Sequence, residues 1–161
     1  MIKINKNIFI SIIAILILSI VFNLFLVVSH NTKIKKINIE NDLEKITTAI
    51  NASDNTMELN VFYQEQLSKS LINENELSSS YQELINIHEQ LIVELSKITN
   101  KNTKDVRDIT ILFINERKKI FENYKQAIDL NSSNYNNVAN NLIKSAENYK
   151  QNIINEINNI K

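Results

Sequence analysis

Residues 77–99 read LSSSYQELINIHEQLIVELSKIT, and their apolar members recur at helical spacing. Tyr81, Leu84, His88, Leu91, Leu95 and Ile98 step by 3, 4, 3, 4 and 3, with Leu77, Ile85 and Ile92 beside them. One apolar face at the helical period, with no strand-like alternation, predicts an amphipathic helix. The pattern repeats toward the C-terminus. Lys104 to Leu130 carries Val106, Ile109, Phe113, Ile120, Tyr124 and Ile128 on one face. The last segment places Tyr135, Ala139, Leu142, Ala146, Tyr149, Ile153, Ile157 and Ile160 in steps of 4, 3, 4, 3, 4, 4 and 3. Val138, Ile143 and Ile154 widen that stripe beyond a strict coiled-coil seam, which suits packing against two neighbours.

Toward the N-terminus the face is less regular. Met57, Val61, Phe62, Leu67, Leu71 and Ile72 form one set, and Ile34, Ile37, Leu43, Ile46 and Ile50 another. Polar clusters mark the connections. Asn100-Lys101-Asn102-Thr103 reads as a turn with Thr103 as N-cap and Asp105 in the first turn, where the helix dipole favours it. Asn51-Ala52-Ser53-Asp54 reads as a second break capped by Ser53 or Asp54, and Asn131-Ser132-Ser133-Asn134 as a third. Residues 73–80 are a fourth candidate, or a polar patch within one helix. The expected fold is all-α: an antiparallel bundle of about four long helices near 31–52, 55–99, 104–130 and 134–160.

Composition agrees. The 161 residues contain no Gly, Pro, Cys or Trp, and β-hairpins depend on Gly at positive φ. Without Cys there is no disulfide, thiolate nucleophile or Cys-ligated metal. Without Gly there is no P-loop, dinucleotide fingerprint or nucleophile elbow. Eighteen basic residues balance 18 acidic ones, so the clustered positive charge that nucleic acid requires is missing. With 29 Ile and 27 Asn against six Ala and two Arg, the codon usage points to a low-GC genome, most often bacterial.

The N-terminus has a separate role. A basic tail, residues 1–7, precedes Ile8 to Val28, a run of 21 positions without a charge. As a helix at about 1.5 Å per residue it matches the bilayer hydrocarbon thickness of roughly 30 Å. A signal peptide has a shorter apolar region of about 7–15 residues. The run therefore reads as an uncleaved, single-pass transmembrane signal-anchor continuing into the helical domain, residues 29–161. Lys3 and Lys6 ahead of it nearly balance Lys33, Lys35 and Lys36 behind it. The export-type layout places the bulk of the chain outside the cytoplasm.

Candidate chemistry is sparse. His88-Glu89-Gln90-Leu91-Ile92 approaches the His-Glu-x-x-His zinc motif, but Ile92 stands where the second ligand is needed. A di-iron bundle requires Glu three residues before His, and Ile85 occupies that place. No catalytic, metal or cofactor set is expected. His88 and Arg117 both lie on apolar stripes. Pairing the flanking helices about a turn centred between Lys101 and Asn102 sets His88 near Leu112, Asn115 and Glu116. His88, Glu116 and Arg117 are thus a possible buried polar site, with Glu116 or Asn115 as the imidazole's hydrogen-bond partner; Glu116 in that role raises its pKa. Arg117 reads as snorkelling at the core edge or as an anion-binding group. Glu65–Lys69, Glu94–Lys97, Glu116–Lys119, Glu122–Lys125 and Glu147–Lys150 are spaced for ion pairs on solvated helix faces.

A basic N-terminus, one membrane helix and further helices of bundle length resemble the four-helix-bundle ligand-binding region of bacterial chemoreceptors and related sensors. The likeness is strongest over Leu77–Ile160, with its short turns at Asn100–Thr103 and Asn131–Asn134. It implies an extracytoplasmic ligand-sensing bundle that signals through a partner. The residues themselves point first to a membrane-anchored, non-enzymatic protein with a structural or protein-interaction role. Its expected partners are the lipid bilayer and another protein or a second copy of itself.

Overall fold

The computed structural model describes the backbone of residues 6–160 and the side chains of residues 31–160. Four helices follow in order: α1 (Lys6–Ser68), α2 (Glu74–Ser96), α3 (Lys104–Asp129) and α4 (Asn134–Ile160). There is no strand among the described residues. Two compact units divide at Glu40. In the first, residues 31–38 are exposed, and Lys36 pairs with Glu40 at 3.8 Å. Among the described residues no helix is long and apolar enough to cross a membrane. The apolar run from Ile8 to Val28 lies outside the residues whose side chains are described.

The second unit, residues 41–161, is a helical bundle. Leu43, Ile46 and Ile50 of α1, Leu84 and Leu95 of α2, Val106, Phe113 and Ile120 of α3, and Ile153 of α4 are buried. Each of these fell on an apolar stripe. Burial of such side chains contributes roughly 1.5–3 kcal/mol apiece. On α4 the other buried positions are small, Ala139 and Ala146, both fully enclosed.

α3 and α4 lie where the periodicity predicts, within one residue at the C-terminus of α3. The first half of the bundle differs. No break occurs at 51–54, because Ser53 is buried inside a continuous helix rather than capping one. The break falls at 69–73 instead, where Ser70 takes φ 56°. Asn73 then caps α2 with a reciprocal box. Its side chain accepts from the Glu76 amide at 3.0 Å, and its own amide donates to the Glu76 carboxylate at 2.8 Å. Two orphan backbone donors are satisfied at once. The break at 131–133 is real, with Asn131 at φ 48°.

The turn before α3 also departs from expectation. Thr103 makes no side-chain cap bond. It is fully buried, and its hydroxyl donates across the bundle to Asp42 Oδ2 at 3.1 Å. Asn102 N donates to Asn100 Oδ1 at 3.1 Å to hold the turn. Antiparallel pairing of α2 and α3 is direct, through Ser78 with Asp129 (2.6 Å) and Glu89 with Lys118 (3.5 Å). These pairs sit two residues further along each helix than the turn-centred register requires. The cause is geometric. Helical side chains lean toward their own N-terminus, so in an antiparallel pair the meeting residues shift together to higher numbers.

Because α4 docks through Ala139 and Ala146, a larger residue there has no room. Ala146→Leu should lower unfolding free energy by about 1–3 kcal/mol in denaturant titration, whereas exposed Val138→Lys should change it by less than about 0.5 kcal/mol. Equal effects would place α4 differently.

Candidate functional site

The core-facing positions of α1 change character along its length. Leu43, Ile46 and Ile50 are succeeded in the same helical phase by Ser53, Thr56 and Asn60, all buried, and then by Gln64. This seam faces α2. His88, fully buried, is held from both ring nitrogens. Nδ1 lies 2.7 Å from the Leu84 carbonyl, which can only accept, so Nδ1 carries the proton. Nε2 then accepts from the Ser53 hydroxyl at 3.1 Å. The Thr56 hydroxyl stands 3.4 Å from Nε2, its own proton given to the Ser53 carbonyl at 2.6 Å. Phe121 closes the site with its ring 5.3 Å from the imidazole.

Glu116 is not the partner. It pairs with exposed Lys119 of its own helix at 2.9 Å. The register shift places His88 beside Phe121 and not beside Asn115, and α1 supplies the hydroxyls. The electrostatic consequence reverses with it. Burial lowers the His88 pKa to about 4, the nearby charges of Arg117 and Lys118 add to that, and the bond to Leu84 opposes it.

Arg117 is buried and does not snorkel. Its Nη2 donates to Glu147 Oε1 of α4 at 2.5 Å and reaches Asp54 Oδ1 of α1 at 3.5 Å. Lys150 Nζ donates to the other Asp54 oxygen at 2.7 Å. The guanidinium lies over the Phe113 ring, 5.3 Å from its centroid. Arg117 Nε is buried without a hydrogen-bond partner. Glu147 and Lys150, spaced for a pair with each other, are each drawn to a different charge in the bundle. Glu65–Lys69, Glu94–Lys97 and Glu116–Lys119 do pair as spaced, whereas Glu122 pairs with Lys118 and Lys125 with Asp129, each one full turn away.

His88 and Arg117 therefore belong to one polar layer with Ser53, Thr56, Asp54, Glu147 and Lys150, to which every helix contributes. Its charges cancel, two acids against two bases. Ser53 and Asp54 were legible only as a break; their signal was the unbroken phase of the α1 stripe through 43, 46, 50, 53, 56 and 60. Among the described residues no group of three or more His, Asp or Glu side chains is placed to share a metal ion. With both imidazole nitrogens engaged, the layer's chemistry is that of a register lock. A buried charge or imidazole deprived of its partner is costly, so the helices are held in the alignment that satisfies all of them.

The end of the bundle near 64–81 and 124–140 is built otherwise. A concavity of about 490 Å³ opens there, lined from all four helices. Leu77, Tyr81, Tyr124 and Ile128 form its floor, with the two tyrosine rings stacked at 5.7 Å. Gln64, Glu74, Asn131, Asn136 and Asn140 surround it. Tyr81 Oη accepts from Gln64 Nε2 at 3.3 Å. Burial holds both phenols above their ordinary pKa, so they are protonated at neutral pH.

The chain matches no family model, no curated protein and no solved structure.

The layer makes the bundle acid-sensitive. An unfolded histidine takes a proton near pH 6.5, and the folded one only near 4. Stability from this group is complete above pH 6.5 and falls as pH drops toward 4, by about 3 kcal/mol over the window. Denaturant titrations at several pH values should show that fall, and His88→Leu should flatten it. A wild-type profile unchanged between pH 6.5 and 4.5 would contradict the buried neutral imidazole.

Proposed function

We propose that this chain is a membrane-anchored, non-enzymatic helical-bundle protein that works by contact with another protein or a second copy of itself. The observation that carries this reading is a reversal of polarity on α1. Between residues 53 and 64 the buried positions are Ser53, Thr56 and Asn60, with Met57 and Tyr63 only partly buried against the core, while Leu59, Val61 and Phe62 are 40, 66 and 51% exposed. Scattered exposed apolar residues are ordinary, but polar groups inside and apolar groups outside on one stretch of helix are not. A face of that kind gains from being covered.

The uncharged run from Ile8 to Val28 supports an anchor that passes the bilayer once, with the bundle outside the cytoplasm. The balance of 18 acidic and 18 basic residues speaks against nucleic acid as partner. A second reading, an extracytoplasmic ligand-sensing bundle that signals through a partner, is favoured by the open concavity among all four helices.

A photo-crosslinking residue introduced at Phe62 in intact cells tests the first reading. It should give a discrete adduct with a protein or a second copy, retained in the membrane fraction after an alkaline wash. The same residue at exposed Gln82 should give none. Absence of any adduct at position 62 would remove the interaction reading, and release by the wash would remove the anchor.

A further inference from the structure

We infer that the concavity at the end of the bundle binds a small hydroxyl-rich solute bearing one protonated amine, of which an amino sugar is the simplest form; this rests on the sensing reading. Apart from Arg117 Nε, the polar groups in the middle of the bundle are matched to one another, whereas the exposed Glu74, Asn131, Asn136 and Asn140 around the concavity are not. Among the described residues the side-chain amides of Asn131, Asn136 and Asn140 bond to no other protein group, and neither does the Tyr124 hydroxyl. The Glu74 carboxylate has no ion-pair partner there, in contrast to Glu76, which is engaged in the cap of the same helix. The lining thus offers three free amides, a phenol and one free carboxylate over a floor of apolar and aromatic side chains.

The chemistry of that set selects the ligand. Amides and phenols each donate and accept, which matches hydroxyl groups and not ions. Glu74 is the one ionised residue in the lining, and no Lys or Arg shares it. An anion would face the Glu74 carboxylate with no Lys or Arg in the lining to pair with, while a single ammonium finds a charge-assisted partner. The volume, about 490 Å³, lies within the range of small-molecule sites and is ample for one monosaccharide. The two-ring floor is formed by Tyr81, buried and tied to Gln64, and by half-buried Tyr124, so one ring edge and hydroxyl remain for the ligand.

Glucosamine and glucuronate each differ from glucose at a single position, C2 and C6 respectively, and the three carry positive, negative and zero charge. Calorimetric titration of the full chain in detergent with each is the test. Glucosamine should bind saturably and at least about tenfold tighter than glucose, the usual scale for one charge-assisted bond, with glucuronate weakest. Glu74→Gln, at an exposed position, should erase the preference for glucosamine, and Asn140→Ala should weaken glucosamine about tenfold. Glucose binding as tightly as glucosamine, and lost in Asn140→Ala, would overturn the amine assignment and leave the sensing reading standing. Glucosamine binding unchanged by Glu74→Gln, or glucuronate binding as tightly, would likewise overturn the assignment. Absence of binding by all three would overturn the site and the sensing reading with it.

Discussion

The Ser53–His88 hydrogen bond is the constraint on which the bundle's alignment depends. An imidazole enclosed among Leu84, Phe121 and α1 has no water to turn to, so α1 must present a donor at that level. Ser53 supplies that donor at 3.1 Å. The next residue, Asp54, then lies where Arg117 and Lys150 reach it from α3 and α4. Two consecutive residues of α1 therefore fix the relative heights of all the other helices. An apolar core alone would be far more tolerant of sliding, since volume and pattern suffice for burial. Ion pairs of this kind contribute little net stability once their desolvation is counted, and their effect is on which arrangement wins.

What could be read in advance follows from the same contrast. α3 and α4 were legible because their core positions are apolar and their stripes run unbroken to Asn or Ser turns. α1 was misleading because its buried positions beyond Ile50, Ser53, Thr56 and Asn60, are polar. A buried Ser53 and a capping Ser53 look alike when only neighbours in sequence are visible. Its partner lies 35 residues away. Arg117 is similar, with partners 63 and 30 residues distant, and local spacing suggested instead that Glu147 would pair with Lys150. The hairpin between α2 and α3 was legible as a pairing but not in its register. Counting from the turn treats side chains as perpendicular to the helix, and their lean toward the N-terminus moves His88 from Glu116 to Phe121.

The two polar regions of the bundle have opposite physical roles. In the middle, hydrogen bonding is closed but for Arg117 Nε, and charge is neutralised within the layer. At the end near Tyr81 and Tyr124 the helices leave an opening, and amides stand where apolar side chains would otherwise fill it. The middle layer keeps the four walls of that opening at fixed heights. Outside, the exposed Leu59, Val61 and Phe62 lie on the same helix that carries the inner polar seam. One helix thus carries part of the locking layer, one wall of the open end and the apolar outer face.

Titration of His88 followed by nitrogen-15 NMR reads the locking contact directly. The account predicts a neutral ring with the proton on Nδ1 at pH 6.5 and a midpoint near pH 4. A proton on Nε2, or a midpoint at or above the ordinary histidine value of about 6.5, would contradict it.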